Sequence, residues 1–319
     1  MVKPMSIRRV AAIDIGTNTT LLLIAERGPQ ETGGALRAVF EDMTITRLGQ
    51  GVDKTRALAP EAIERTASCL ERYAGSIAAY GVDASALRVT GTSAMRDAAG
   101  ADALRDRARA ALGVEIEVIA GSEEARLAFV GALSGLVRAD VGERAMVMDV
   151  GGGSTELVVG ESATHRIAAG RSFDVGSVRM TERHMNVAAH DPPSATEIAA
   201  VEADVRKTLA PWTERSDVLV GVAGTVTTIA AVHLGMREYD GARIHGTRLS
   251  RAEVEAVFTR LASMPLAARR QVAGLNPARA DVIVAGTAVV RVAMDHVGAT
   301  GLVVSDRGLR WALCEELAT

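Results

Sequence analysis

The sequence predicts a layered α/β protein made of two domains. A chain of 319 residues is usually too long to fold around a single hydrophobic core, and its length suits two domains of ordinary size. Predicted strands alternate with predicted helices along the chain, which is the pattern of α/β folds. An internal repeat is the third observation: residues 13–22 and 148–157 each contain an apolar strand, an aspartate, a glycine turn and a second strand. Two copies of one plan predict two related domains.

The first copy of the repeat predicts a β-hairpin. Val10–Ile15 is an apolar run that contains Asp14, and the turn Gly16–Asn18 joins it to a second run, Thr20–Ile24. The following segments predict a helix at 60–80, a strand at 87–90, a helix at 101–112, a strand at 114–119 and a helix at 123–137 with Ser122 as its N-cap.

The second copy predicts another hairpin. Ala145–Val150 contains Asp149, and the turn Gly151–Ser154 leads into the strand Thr155–Val159. Beyond it, the periodicity predicts helices at 195–209, 225–234, 251–261 and 277–296, and strands at 218–222 and 302–304.

Composition and charge exclude several classes of function. The net charge is −3 with a pI near 6.1, so the chain has no global basic field for nucleic acid, and we expect no nucleic-acid partner. The N-terminal apolar run after Arg9 is interrupted by Asp14, which predicts neither a signal peptide nor a membrane span. Cys69 and Cys314 are far apart in sequence; one bridge between them is conceivable, but two buried thiols in a reducing cytoplasm are expected. A homodimer is one of the states that the sequence allows.

The two turns suit phosphate binding. Gly151, Gly152 and Gly153 can adopt conformations that a Cβ would forbid, and their N–H groups can form an anion-binding concavity with the hydroxyls of Ser154 and Thr155. Thr17 and Asn18 occupy the same place in the first copy. Two such hairpins facing each other would hold a phosphate from both sides.

Three acids accompany these turns. Asp14 and Asp149 precede them, and Glu156 points the same way along its strand as Ser154. Carboxylates repel phosphate unless a hard cation lies between them, so the pattern predicts Mg²⁺ (or Mn²⁺) held by Asp14, Asp149 and Glu156. An exposed strand residue is the alternative interpretation of Glu156.

Arginines supply further candidates. Thr92 and Arg96 follow a predicted strand, where a hydroxyl and a bidentate guanidinium suit phosphate oxygens. A solvated surface arginine is the alternative for Arg96. Arg105 and Arg109 share a helix face, and Arg269 precedes a second arginine; solvated surface positions explain them more simply than a path for a polyanion.

Several segments resemble, in the same order, those of the exopolyphosphatase and guanosine pentaphosphate phosphatase (Ppx/GppA) family. They are AIDIGTNT, RLGQGVDKTRALAPEAIERT, TGTSAMRDA, IAGSEEARLAF, VMDVGGGSTELVVG, GVAGTVTT and LVVSDRGLRWAL. The resemblance implies two actin-like (ribonuclease H-like) domains of the ASKHA superfold with the active site in a cleft between them. We expect residues 1–138 and a returning C-terminal helix at about 307–319 in the first domain, and 139–306 in the second.

The resemblance also implies site residues. It implies Mg²⁺ and a catalytic glutamate before an Ala-Arg pair, which falls on Glu124, with Glu123 as the near alternative. On pattern alone, both acids could simply favour the first turn of a helix. Gly224 and Thr225 lie in a segment that resembles the nucleotide-contacting region of the superfold.

The function expected from the resemblance is hydrolysis of the terminal phosphoanhydride of inorganic polyphosphate, with a glutamate-activated water. Hydrolysis of guanosine pentaphosphate (pppGpp) is the alternative, and a superfold kinase or a nucleotide-binding sensor is the third. Longer family members carry an additional C-terminal domain, whereas this sequence ends at Thr319, so we expect a short two-domain form whose chain-length preference stays open.

Overall fold

The structure, a computed structural model, describes residues 9–28, 34–187 and 189–319. Residues 1–8, to which part of the N-terminal prediction refers, lie outside this range. The chain divides into two compact units. The first comprises the described residues up to Ala120 together with Leu309–Thr319, and the second is Gly121–Gly308.

The first unit contains a mixed sheet. Its strands are β1 (Arg9–Ile15), β2 (Thr20–Arg27), β3 (Leu36–Thr44), β4 (Leu87–Gly91) and β5 (Ile116–Val118). Its helices are α1 (Val52–Thr55), α2 (Pro60–Ala79), α3 (Ser93–Asp97) and α4 (Asp102–Leu112), together with the C-terminal helix α14 (Leu309–Ala318). The strand order is β3-β2-β1-β4-β5, with the β1–β2 and β2–β3 pairs antiparallel and the β1–β4 and β4–β5 pairs parallel.

The second unit repeats this plan. Its strands are β6 (Arg144–Val150), β7 (Thr155–Glu161), β8 (Ile167–Phe173), β9 (Val218–Val222), β10 (Arg248–Ser250) and β11 (Gly301–Val304). Its helices are α5 (Gly121–Leu133), α6 (Arg138–Val141), α7 (Ser177–His184), α8 (Ala195–Leu209), α9 (Ala223–His233), α10 (Gly241–Ile244), α11 (Arg251–Ala262), α12 (Leu266–Arg269) and α13 (Ile283–Val297). The strand order is β10-β11-β9-β6-β7-β8.

The two sheets have equivalent topologies. The strands β8, β7, β6, β9 and β11 correspond to β3, β2, β1, β4 and β5, with the same parallel and antiparallel pairs, and β10 adds an edge strand. The predicted α/β class and the duplication are thereby confirmed. In both sheets the central parallel strands end at the same edge as the hairpin turn, which is the edge where α/β proteins place their ligands.

The sequence did not predict β3 and β8. Both lie at sheet edges, and their burial alternates or stays partial, so neither presents the apolar run that marked the central strands. The helix predicted at 123–137 begins earlier and ends earlier, as α5. Ser122 is therefore inside the first turn and does not cap the helix. Gly135, with φ of +76°, follows the end of α5.

The helices α5 and α14 each pack on a sheet. Ala125 and Phe129 of α5 lie in an apolar cluster with Val147 and Val158 of the second sheet, so this helix belongs to the second unit although it precedes residue 138. α14 packs on β1 and β2. Its Arg310 Nη1 donates to the carbonyl of Leu22 at 2.8 Å, and its Glu315 pairs with Arg27 at 2.9 Å.

Among the buried groups, the prediction for the two cysteines is confirmed and the surface position expected for Arg269 is wrong. Cys69 and Cys314 are both buried and free, as predicted. Arg269 is 1% exposed, and its guanidinium donates to the carbonyls of Leu261, Met264 and Ala280, so it is a structural residue and not a surface cation. No helix within the described ranges is long and apolar enough to cross a membrane.

Candidate active site

The glycine turn between β6 and β7 is fixed from behind by α7. The amide of Gly151 closes the turn on the carbonyl of Ser154 at 3.0 Å. The Gly151 carbonyl accepts the amide of Ser177 at 2.9 Å, and the Gly152 carbonyl accepts the amides at the next two positions of α7 at 2.9 and 3.0 Å. The carbonyls of the turn therefore face the N-terminus of α7.

The amides of the same turn are left available. Within the described parts of the chain, the N–H groups of Gly152 and Gly153 donate to no other residue. A backbone N–H group is an obligatory donor, so these two groups need water or a ligand. This geometry suits an anion, as the sequence predicted for Gly151, Gly152 and Gly153.

Two residues that the sequence analysis missed hold this turn in place. A Cβ on Gly176 would lie 2.5 Å from the carbonyl oxygen of Gly152, so only glycine lets α7 approach so closely. Arg179 is 6% exposed, and its Nε donates to the carbonyl of Gly153 at 2.6 Å. A glycine immediately before an amphipathic segment was the available signal, but α7 itself had not been predicted.

The first hairpin has the same turn closure. The amide of Gly16 donates to the carbonyl of Thr19 at 3.0 Å. The carbonyls of Thr17 and Asn18 accept the amides of Gly49 and Arg47, at 2.8 and 3.0 Å. Thr17 and Asn18 are each 8% exposed. The first turn is thus held by a loop after β3, whereas the second turn is held by a helix after β8.

A cluster of acids lies beside the second turn. Asp149 and Glu156 are directly paired across β6 and β7, and Ser172 is paired with Glu156 across β7 and β8. The Ser172 hydroxyl donates to Glu156 Oε1 at 2.6 Å. Glu156 is 2% exposed, so the alternative of an exposed strand residue is wrong.

Two neighbouring glutamates on α5 have different surroundings. Glu123 forms a two-point ion pair with Arg126, at 2.7 and 2.8 Å, on the helix surface. Glu124 is 8% exposed and lies close enough to Glu156 for their charges to interact. Only Glu124 therefore belongs to the acid cluster.

The electrostatics of the cluster favour a bound cation. Burial, followed by repulsion from Glu124 and Asp149, raises the pKa of Glu156 well above its ordinary value. Hydrogen bonds from Ser172 and Ser154 act in the opposite direction. Ser154 thus shares a side of the strand with Glu156, as the two-residue period predicted. Three neighbouring carboxyl groups can all ionise only if positive charge compensates them.

A donor set of two carboxylates is compatible with Mg²⁺. Among the residues that the structure describes, no three Asp, Glu, His or Cys side chains form a complete metal-binding group. Mg²⁺ needs no such group, because it keeps several waters and uses one or two carboxylates together with substrate phosphates. The pair of Asp149 and Glu156 supplies such carboxylates. The metal roles of Asp14, Asp149 and Glu156 stay predictions.

Other predicted phosphate ligands have structural partners. The Thr155 hydroxyl is fully buried and donates to the carbonyl of Val175 at 2.7 Å, which directs its proton away from the turn. Arg96 Nη1 donates to the carbonyl of Ile119 at 3.1 Å. Thr92 precedes α3 and is 5% exposed. The phosphate roles of Thr92 and Arg96 stay predictions.

The segment predicted to contact a nucleotide begins α9. Ala223, the first residue of that helix, has φ of +69°, which is strained for a residue other than glycine. A Cβ on Gly224 would overlap the guanidinium of Arg279. Thr225 is 4% exposed and lies against Gly286 of α13. The nucleotide contact of Gly224 and Thr225 stays a prediction.

The two ribonuclease H-like sheets define an actin-like protein. Its glycine turn with available amides and the adjoining buried carboxylates suit the binding of phosphate groups. The chain belongs to the Ppx/GppA phosphatase family, whose profile matches residues 24–316.

Relatives of known name support this assignment over almost the full length. "Exopolyphosphatase 2" of Mycobacterium tuberculosis (strain H37Rv) is 39% identical over 98% of this chain and 100% of the relative. "Guanosine-5'-triphosphate,3'-diphosphate pyrophosphatase" of Vibrio atlanticus is 29% identical over 96% of this chain, which spans 59% of that protein. The crystal structure of the Aquifex aeolicus Ppx/GppA family member superposes with a TM-score of 0.80 at 30% identity, with 98% of each chain covered.

Proposed function

We propose that this protein is an exopolyphosphatase, which hydrolyses the terminal phosphoanhydride bond of inorganic polyphosphate and releases phosphate. The observation that carries the proposal is the position of Glu124, a buried carboxylate whose charge acts on Glu156, which is paired with Asp149 next to the glycine turn. The end-to-end likeness to the Mycobacterium tuberculosis exopolyphosphatase supports the choice of substrate.

The turn would bind and orient the terminal phosphoryl group. The amides of Gly152 and Gly153 donate to its non-bridging oxygens, and Arg179 and Gly176 keep the turn rigid from behind. Fixed dipoles of this kind stabilise the charge of the transferred group without having to reorganise during the reaction. In this proposal Thr17 and Asn18 of the first turn also bind phosphate.

Glu124 would activate the attacking water. Its carboxylate accepts a proton while the water oxygen forms a bond to phosphorus in line with the leaving oxygen. The bond from phosphorus to the bridging oxygen breaks, and the products are phosphate and a chain shorter by one phosphate. When bound at Asp149 and Glu156, Mg²⁺ would neutralise phosphate oxygens and act as a Lewis acid.

Hydrolysis of pppGpp is the second candidate, and the likeness to the Vibrio atlanticus enzyme supports it. The bond that breaks is of the same type, so the acid cluster and the turn serve either substrate. A cytoplasmic location is part of the proposal and is supported by the free, buried thiols of Cys69 and Cys314.

Phosphate release from polyphosphate, tripolyphosphate, pppGpp and ATP, each with Mg²⁺, tests the proposal. We expect the highest kcat/KM with polyphosphate. A higher kcat/KM with pppGpp would favour the second candidate. Transfer of labelled phosphate from ATP to glycerol or acetate, without release, would indicate a kinase. Tight binding without any turnover by the folded protein would indicate a sensor.

A further inference from the structure

A segment after β3 contacts the first turn at one end and the residues that follow α3 at the other. Its residues Arg47 and Gly49 donate their amides to the turn carbonyls, and the loop continues through the single helical turn α1 to Arg56. The carbonyl of Arg56 accepts the amide of Ala99 at 2.9 Å, just beyond α3. The segment Arg47–Arg56 therefore runs between the predicted phosphate turn and the helix that carries Arg96.

The backbone of this segment is strained at two arginines. Arg47 has φ of +51° and Arg56 has φ of +55°, in the left-handed region that favours glycine. Among the described residues other than glycine, only four have a positive φ, and two of them lie in this segment. Strained backbone of this kind is concentrated at functional sites, because surrounding structure must hold it there.

Two cations of this segment have no side-chain partner among the described residues. The side chains of Lys54 and Arg56 are exposed and make no hydrogen bond or ion pair with a described residue. The other arginines that the structure describes in the first unit each have a hydrogen-bond or ion-pair partner. For example, Arg105 pairs with Asp102 at 3.1 Å, and Arg107 pairs with Glu64 and another glutamate.

The contrast separates this segment from the arginine groups that stand out in the sequence. Arg105 and Arg109 form ion pairs on the surface, and Arg269 is buried among carbonyls. Lys54 and Arg56 instead keep their charge for an external anion, on the segment whose first residues, Arg47 and Gly49, hold the turn predicted to bind phosphate. Their position matches an anion that extends beyond that phosphate.

We propose that Lys54 and Arg56 bind internal phosphate groups of a polyphosphate chain, next along that chain from a phosphate held at the first turn. This inference rests on the proposed exopolyphosphatase function. Ammonium and guanidinium groups bind phosphate oxygens by charge-assisted hydrogen bonds. The strained conformation of Arg56 fixes the direction in which its side chain leaves the backbone. The segment thereby favours long chains over short ones.

The test compares substrates of different length. Lys54→Gln/Arg56→Gln removes both charges, and the matched control Lys207→Gln/Arg260→Gln removes two exposed cations of the second unit that have no described side-chain partner. We expect the KM for long-chain polyphosphate to rise about three- to tenfold in the first variant, with kcat unchanged. The KM for tripolyphosphate should change by less than about twofold, and the control should match the wild type.

The variant Arg56→Gly distinguishes a loss of substrate binding from a loss of stability. It relieves the left-handed strain, so we expect the Tm to rise by about 1–2 °C while the KM for long chains increases. The dependence of KM on salt concentration should also weaken in both Arg56 variants, because fewer counterions are exchanged.

Each outcome decides a different point. An active wild type, together with variants that keep its KM for long chains, would overturn the inference and leave the proposed function in place. Equal losses with tripolyphosphate and long chains would also overturn it, because the segment would then serve the terminal phosphate. A wild type that releases phosphate from neither substrate would overturn the proposed function itself.

Discussion

The two hairpins share a backbone but differ in chemistry. Each closes its turn with an amide-to-carbonyl bond of 3.0 Å, and each is followed by an antiparallel third strand. In the second hairpin, Asp149 is paired with Glu156, which is paired with Ser172. In the first, the row across the same strands is Asp14, Leu21 and Met43.

The difference shows that a duplicated scaffold does not duplicate a site. Identical register places an aspartate beside each turn, but only the second row adds a buried acid and a hydroxyl that donates to it. Glu124 joins that row through α5. The buried carboxyl cluster thus belongs to the second hairpin, whereas the first presents the neutral polar residues Thr17 and Asn18.

The largest expected effect comes from Glu124. Glu124→Gln removes the proton acceptor and should lower kcat for polyphosphate about 100- to 10,000-fold. The matched control is Glu123→Gln, which breaks a surface ion pair and should stay within about threefold of the wild type. Near-normal turnover of Glu124→Gln would remove it from this role, and a large loss in Glu123→Gln would reverse the assignment.

Alanine substitutions at the glycines that pack behind the two turns test how strongly each turn is held, through the free energy of unfolding. Gly176→Ala places a Cβ against the backbone of Gly152, and we expect a loss of about 2–4 kcal/mol in the free energy of unfolding. Gly49→Ala meets the Thr17 methyl group and should cost about 1–2 kcal/mol. Adding Thr17→Ser should recover much of that loss, since serine lacks this methyl group. Urea unfolding measures all three, and equal losses at both glycines would contradict the comparison.

The buried carboxyl of Glu156 in the second row should make the stability of the protein depend on pH. Because the folded protein raises the pKa of Glu156, the folded form binds its proton more tightly than the unfolded chain does. In the absence of metal, stability should therefore fall as pH rises from the ordinary glutamate pKa of about 4.5 toward the raised value. Glu156→Gln should flatten this profile, and added Mg²⁺ should flatten that of the wild type. A wild-type profile in chelator that coincides with that of Glu156→Gln would refute the assignment.

The smallest effect is expected at the ends of the two rows. Ser172→Ala removes a donor to the buried carboxylate and should lower the free energy of unfolding at neutral pH by about 1 kcal/mol. Met43→Ala alters a side chain that is 42% exposed and should change it by less than about 0.5 kcal/mol. Thermal unfolding of both variants at one pH measures the two effects. A larger loss of stability in Met43→Ala than in Ser172→Ala would contradict the prediction.

The central elements of both sheets followed from short-range patterns. The apolar runs of β1, β6 and β9 and the glycine turns were recognisable because each needs only neighbouring residues. The edge strands β3 and β8 were missed, since a half-exposed strand becomes evident only when its partner is known. The same limit applies to α7, whose N-terminus holds the glycine turn.

The sequence by itself determined the duplicated plan and the proximity of Asp149 to Glu156. A four-residue turn between two strands fixes their register, and register decides which side chains meet. Only the tertiary structure decided that Glu124 and not Glu123 joins these acids, that Gly176 and Arg179 support the turn, and that Arg269 is internal. Such relations depend on how distant elements pack, and packing is set by shape and burial across the whole unit, which no local pattern contains.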